Sequence, residues 1–186
     1  MLLQSEPLAV PGLLHLRPIV FMDQRGWYLT VADEAELGAA GIHDRFVRDS
    51  IVYADKTGTV FGLHYQLPPR SQARILRVLR GSIFAAAVDV RRNSSTFGRA
   101  GSIELSYMNS SQLYAMAGFA LGWCSLEPAT EVLIKASAPD DPALARGINW
   151  RDPALKIAWP IRAADAIISV EDIDQPMLAD QTDLLD

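Results

Sequence analysis

At 186 residues, nearly half of them hydrophobic, the chain has the length and composition of one domain (1-186) with a sizeable core. A net charge of -5 excludes a broad basic face for nucleic acid, and no apolar run approaches the ~20 residues that a membrane-spanning helix needs. The single cysteine, Cys124, excludes an internal disulfide, and no basic stretch ahead of the apolar runs in Met1 to Pro18 marks a signal peptide, so a cytoplasmic protein is expected.

In chain order, Asp33 to Ala40 is rich in Ala, Glu and Leu and is followed by Gly41, which predicts a short helix. Phe61 to Pro69 reads as a strand ending in a Pro-Pro turn, with His64 and Gln66 on one face and Leu63 and Tyr65 on the other. Ile75 to Leu79, Ser82 to Val90, Gly101 to Leu105, Gln112 to Ala117 and Thr130 to Ala136 are of strand length, with turn residues between them. This rhythm predicts an all-β antiparallel sandwich or barrel with a few short helices. Residues 138 to 154 read as a connection punctuated by Pro and Asp. The acidic tail, about 176-186, is expected to fray or pack weakly over Asp180 to Asp186.

Only three histidines occur, and only His64 falls in a predicted barrel strand; no His-X-His pair is present, so no metal is expected. Gly98-Arg99-Ala100-Gly101 lacks the Lys-Ser/Thr and the helix of a phosphate loop, and no Gly-X-Ser-X-Gly element offers a serine nucleophile. Cys124 reads as a buried thiol without a catalytic partner. His64 is either a proton carrier facing the interior or a core histidine satisfied by a neighbour. Asp89, in the apolar strand Phe84 to Val90, needs a partner, which is either a buried arginine or a substrate hydroxyl.

Several short elements occur in a telling order. They include Asp23-Gln24-Arg25-Gly26, Phe46-Val47-Arg48-Asp49, Gly62-Leu63-His64-Tyr65-Gln66 and Arg77-Val78-Leu79-Arg80-Gly81. Further on come Val88-Asp89-Val90-Arg91, Gly118-Phe119-Ala120, Arg146-Gly147-Ile148-Asn149-Trp150 and Ser169-Val170-Glu171-Asp172. Together, over most of the chain, they resemble the dTDP-4-dehydrorhamnose 3,5-epimerase family of metal-free, cupin-like sugar epimerases. The resemblance implies a cupin-like antiparallel β-barrel or jelly roll without a cofactor, acting on a nucleotide-sugar substrate. It casts His64 as the base that removes a proton beside a ketone, with Asp172 as its partner. It implies that Arg25 approaches a nucleotide-sugar phosphate, often from the neighbouring subunit of a homodimer with exchanged N-terminal strands. Gln66 is left to hydrogen-bond the sugar or to satisfy the strand interior.

The departures from the family pattern cluster at the implied site. Phe61 stands where the family has an arginine before Gly-Leu-His, and Arg74 replaces the enolate-stabilising lysine. Leu121 replaces a histidine, and Ile134 replaces the tyrosine that serves as general acid. The later tyrosine pair aligns with Pro139-Asp140. Around the nucleotide, Arg48, Ser50 and Thr30 stand for Gln, Asn and an acidic residue. The replacement acid is then Tyr65, Tyr114 or water. Three readings follow: an epimerase of a dTDP-4-keto-6-deoxy sugar, a related enzyme with another nucleotide or sugar, or a barrel that binds without catalysis.

Overall fold

The computed structural model describes residues 2–186; Met1, where the segment read for a leader begins, lies outside them. The strands are β1 (Leu3–Pro7), β2 (Leu13–Pro18), β3 (Phe21–Asp23), β4 (Gly26–Tyr28), β5 (Arg48–Ala54), β6 (Val60–Gln66) and β7 (Arg74–Arg80). They continue as β8 (Ser82–Asp89), β9 (Ala100–Ser106), β10 (Gln112–Ala115), β11 (Phe119–Ser125), β12 (Thr130–Ala136) and β13 (Ala145–Gly147). Two short helices, α1 (Glu34–Ala39) and α2 (Val170–Ile173), complete the regular structure together with two 3-10 turns.

A six-stranded sheet ordered β1-β2-β10-β7-β12-β5 faces a five-stranded sheet ordered β13-β6-β11-β8-β9, with antiparallel pairing throughout both. The core lies between them. Leu76, Val78, Leu113 and Val132 from the first sheet pack on Ile83, Ala85, Leu105, Phe119 and Trp123 from the second. Each of these strands sends alternate residues inward, as a pleated sheet buried on one face requires.

The outer faces are covered as well. On the six-stranded sheet, Leu37 of α1 and Ile42 pack on Leu16, Ile75 and Tyr114. Asp33 caps that helix by accepting from the Glu36 amide at 3.0 Å, so the helix predicted over Asp33 to Ala40 begins one residue later and ends one sooner.

The C-terminal segment covers the five-stranded sheet, with Leu155, Leu178 and Leu185 packed on Leu63, Tyr65 and Val88. The Arg92 amide donates to the Leu185 carbonyl at 2.7 Å. The expectation of a weakly packed Asp180 to Asp186 is therefore corrected. The acidic side chains point outward while Leu184 and Leu185 anchor the backbone. The 138–154 connection likewise contains β13 and a 3-10 turn, Pro153–Leu155.

One irregularity decides what the interior contains. In the β6–β11 pairing, Leu121 lies opposite His64 and Trp123 lies opposite Phe61, so three steps along β6 match two along β11. The extra residue is a bulge that resets the alternation and turns both Phe61 and His64 inward. Gly62, at φ +96, sits at this point with space for no side chain. A Cβ there would lie 2.6 Å from the Leu121 carbonyl oxygen and 2.9 Å from the Gly122 Cα.

Candidate active site

His64 opens onto a cavity of about 860 Å3 at one end of the sandwich. Gln66, Arg74 and Arg146 line it from the sheets, and Ser169 and Asp172 line it from the C-terminal segment. A smaller recess of about 230 Å3 shares Phe61, His64, Arg74 and Asp140 with it and runs inward between the sheets.

The sheet positions follow from alternation. Arg74 lies on the same face of β7 as Leu76 and Val78, and Ile134 shares a face of β12 with Val132. Asp172 arrives from the far end of the chain. Ser169 caps α2 by accepting from the Asp172 amide at 3.1 Å, which leaves the Asp172 carboxylate free to turn toward β6. One carboxylate oxygen lies 2.5 Å from His64 Nε2, and the other accepts from the Gly62 amide at 3.0 Å.

Burial of Asp172 opposes its ionisation. The hydrogen bond and charge of His64 outweigh that, helped by the Gly62 amide, and hold its pKa below the usual carboxylate range. An ionised Asp172 can only accept, so Nε2 of His64 must be the donor. Nδ1 is then left with its lone pair, and the side chain is nearly half exposed toward the cavity. The arrangement is an oriented imidazole base with a buried carboxylate behind it.

Arg74 is fixed from two sides. Its Nη1 donates to the His64 carbonyl at 3.0 Å, while Nε and Nη2 donate to Gln72 Oε1 at 2.9 and 2.7 Å. The Gln72 amide nitrogen in turn donates to the Ala138 carbonyl and to Asp140, each at 3.0 Å. Burial lowers the Arg74 pKa to about 10, opposed by nearby Asp140 and reinforced by Arg48, so the side chain remains cationic at neutral pH. Arg48 lines the recess, 2.5 Å from Asp140. Gln66 lines the cavity, but its amide nitrogen donates to the Arg70 and Pro139 carbonyls and its oxygen accepts from the Asp141 amide.

Two of the residues singled out in the sequence lie elsewhere. Asp89 is fully buried and accepts from Arg91 (2.9 and 2.7 Å) and from Ser94 and Thr96 (both 2.6 Å), away from the cavity lining. Of its two possible partners, it has the arginine. Arg25 sits on the exposed β3–β4 hairpin and pairs with Asp23 at 2.5 Å, so within one chain it does not reach His64.

The tyrosines are also placed. Tyr65 donates its hydroxyl to the Asp183 carbonyl, and Tyr114 donates to Asp44 at 2.7 Å; burial pushes both phenols above their usual range. Gln72 and Asp140 were not singled out from the sequence as site residues. The signal for Gln72 was its spacing, because residues two apart on a strand share a face with Arg74. Among the described residues, no group of three His, Cys, Asp or Glu side chains is gathered to hold a metal ion.

This geometry can be set beside known proteins. Residues 7–180 match the family model described as dTDP-4-dehydrorhamnose 3,5-epimerase. The chain belongs to the dTDP-4-dehydrorhamnose 3,5-epimerase family. It is thus a member of an isomerase family with a cupin fold. The enzyme of this name from Sinorhizobium fredii is 37% identical over 175 residues, which span 94% of this chain and 89% of the relative. The Bacillus anthracis epimerase, whose crystal structure holds TDP and PPi, superposes with a TM-score of 0.90 at 31% identity and covers 94% of this chain and 99% of its own. ChmJ, a 3'-monoepimerase from Streptomyces bikiniensis in complex with dTDP-quinovose, gives 0.85 at 28% identity and covers 93% and 87%. Members of similar architecture therefore differ in which carbons they invert.

Proposed function

We propose that the protein epimerises a nucleotide-linked 4-keto-6-deoxyhexose, with dTDP-4-keto-6-deoxyglucose as the substrate, at C3, C5 or both. The observation that carries this reading is the His64–Asp172 pair, which presents a half-exposed imidazole to a cavity that the fixed guanidinium of Arg74 also lines. His64 removes the proton next to the ketone; the electron pair of the broken C–H bond becomes the carbon–carbon double bond of the enolate, and the carbonyl π pair moves onto the oxygen. Arg74, charged and already oriented, stabilises that oxygen. As a very poor proton donor, it leaves the enolate as the species that is reprotonated. Tyr65 lines the cavity but its hydroxyl is committed to the Asp183 carbonyl, the Tyr114 hydroxyl is committed to Asp44, and Ile134 carries no proton to give, so water returns the proton to the opposite face.

The nucleotide reaches the cavity mouth near Arg48 and, in a homodimer, near the partner subunit's copy of the β3–β4 hairpin. The exposed Phe21, Met22, Trp27 and Tyr28 on that hairpin support such an association, and Arg25 would then meet phosphate. Ligand affinity should weaken on dilution to monomers; affinity unchanged across a demonstrated dissociation rules this arrangement out.

The activity is tested by solvent deuterium incorporation into dTDP-4-keto-6-deoxyglucose. Wild-type protein should label the sugar, and His64→Ala should lower the rate by about three orders of magnitude. Asp172→Asn should lower it about a hundredfold or more, because the amide cannot hold the imidazole in the same tautomer. Absence of labelling with wild-type protein, alongside retained dTDP binding, would favour the binding barrel to which Ile134 and Leu121 point.

A further inference from the structure

The recess beyond His64 distinguishes between the two carbons that flank the ketone. On the five-stranded sheet, His64 is flanked by Leu121, directly opposite it in register, and by Phe61. Phe61 stacks on Trp123 with ring centroids 4.4 Å apart and planes at 24°. Val52 and Ile134 face them from the six-stranded sheet. Ser50 sits beside Ile134 on the six-stranded sheet rather than beside His64, and the other polar side chains of the recess, Arg48, Gln72, Arg74 and Asp140, are bonded to one another or to backbone carbonyls. Three of these apolar residues, Phe61, Leu121 and Ile134, stand where polar side chains were expected from the family pattern.

Inversion of a carbon moves its heavy substituent. The base takes the proton from one side, the carbon becomes planar, and the new proton arrives on the other side. The substituent then swings toward the side the proton left, which here is the side of His64, Leu121 and Phe61. In a 4-keto-6-deoxyhexose the two carbons beside the ketone differ in that substituent, a methyl at C5 and a hydroxyl at C3. A methyl gains contact with Leu121 and Phe61. A hydroxyl turned against them gives up its hydrogen bonds to water without replacement.

Resting on the epimerase reading, we infer that the enzyme inverts C5 in preference to C3, with Leu121 and Phe61 as the residues that set this choice. At C5 the C–H bond breaks, its electron pair forms the C4–C5 double bond, the C4=O π pair moves onto O4 to give the enolate, and the proton goes to His64 Nδ1. The O4 pair then re-forms the carbonyl, the C4–C5 π pair takes a water proton on the opposite face of C5, and His64 gives its own proton to the hydroxide left behind.

The test follows deuterium at each carbon separately by NMR, with wild-type protein and dTDP-4-keto-6-deoxyglucose in heavy water. Discrimination by an apolar pocket against one hydroxyl is worth about ten- to a hundredfold, so C5 should be labelled at least about ten times faster than C3. A smaller ratio, or faster labelling at C3, overturns the inference while leaving the epimerase reading intact. Absence of labelling at either carbon overturns the epimerase reading itself, and this inference falls with it. Leu121→Asn, which places an amide beside His64, should narrow the ratio by raising the C3 rate. A ratio unchanged in the folded variant removes Leu121 from the assignment. The wild-type ratio decides the carbon whether or not Leu121→Asn folds.

Discussion

Two buried aspartates on the five-stranded sheet's side of the molecule serve different ends because their partners differ. Asp172 faces a half-exposed imidazole and fixes its orientation; Asp89 faces a guanidinium and two hydroxyls and serves stability. Burial alone would raise the Asp89 pKa, but Arg91, Ser94 and Thr96 outweigh it and bring the carboxyl down to about 2. A folded-state pKa below the ordinary carboxylate value stabilises the fold above about pH 4, and the contribution disappears as pH falls from there toward about 2. It amounts to about 2–3 kcal/mol. Asp89→Asn should therefore cost about 3 kcal/mol near pH 7, because it strands Arg91. Urea titrations should show that deficit shrinking between pH 4 and pH 2 while His64-dependent exchange at neutral pH is retained. The need of Asp89 for a partner was legible in the sequence. Its choice of arginine was not, because the turn after β8 brings Arg91, Ser94 and Thr96 back onto the carboxylate.

Among the elements, β6 carries the information that places His64. Its alternation of His64 and Gln66 against Leu63 and Tyr65 was readable; β1 to β5 went unmarked although β5 alternates, while β7, β8, β9, β10 and β12 were marked by strand length and flanking turn residues. The strand β11 was not, since every residue from Phe119 to Ser125 is buried and no alternation marks it. The bulge at Gly62 was also hidden: strict alternation would have put Phe61 on the face opposite His64, whereas both line the recess. Gly62→Ala tests the role of this bulge. It places a side chain at a positive φ and against the backbone of β11, which should cost at least about 2 kcal/mol in thermal or urea unfolding. Deuterium exchange should fall further than the folded fraction does, because relief of the clash moves the Gly62 amide away from Asp172. Exchange that falls only in step with the folded fraction would show that the bulge is structural alone.

At the scale of the whole molecule, the all-β class and the His64–Asp172 pair were legible, the first from strand rhythm and the second from the family resemblance. The seating of the tail was not. Its charge suggested solvent, and only the packed structure reveals that Leu178 and Leu185 close the outer face of the five-stranded sheet. The two halves of the pair are separated by 108 residues, and the segment between Trp159 and Ser169 that leads to Asp172 includes the exposed stretch Arg162 to Asp165. A protease site inserted between Ala163 and Ala164 would leave every strand on one side of the cut and Asp172 on the other. The nicked protein should keep exchanging deuterium as long as the short piece stays docked through Ile167, Leu178 and Leu185. In mild urea it should lose exchange before it loses its far-UV sheet signal. Sugar labelling then becomes a reporter of fragment complementation, in which the short piece acts as a removable half of the base.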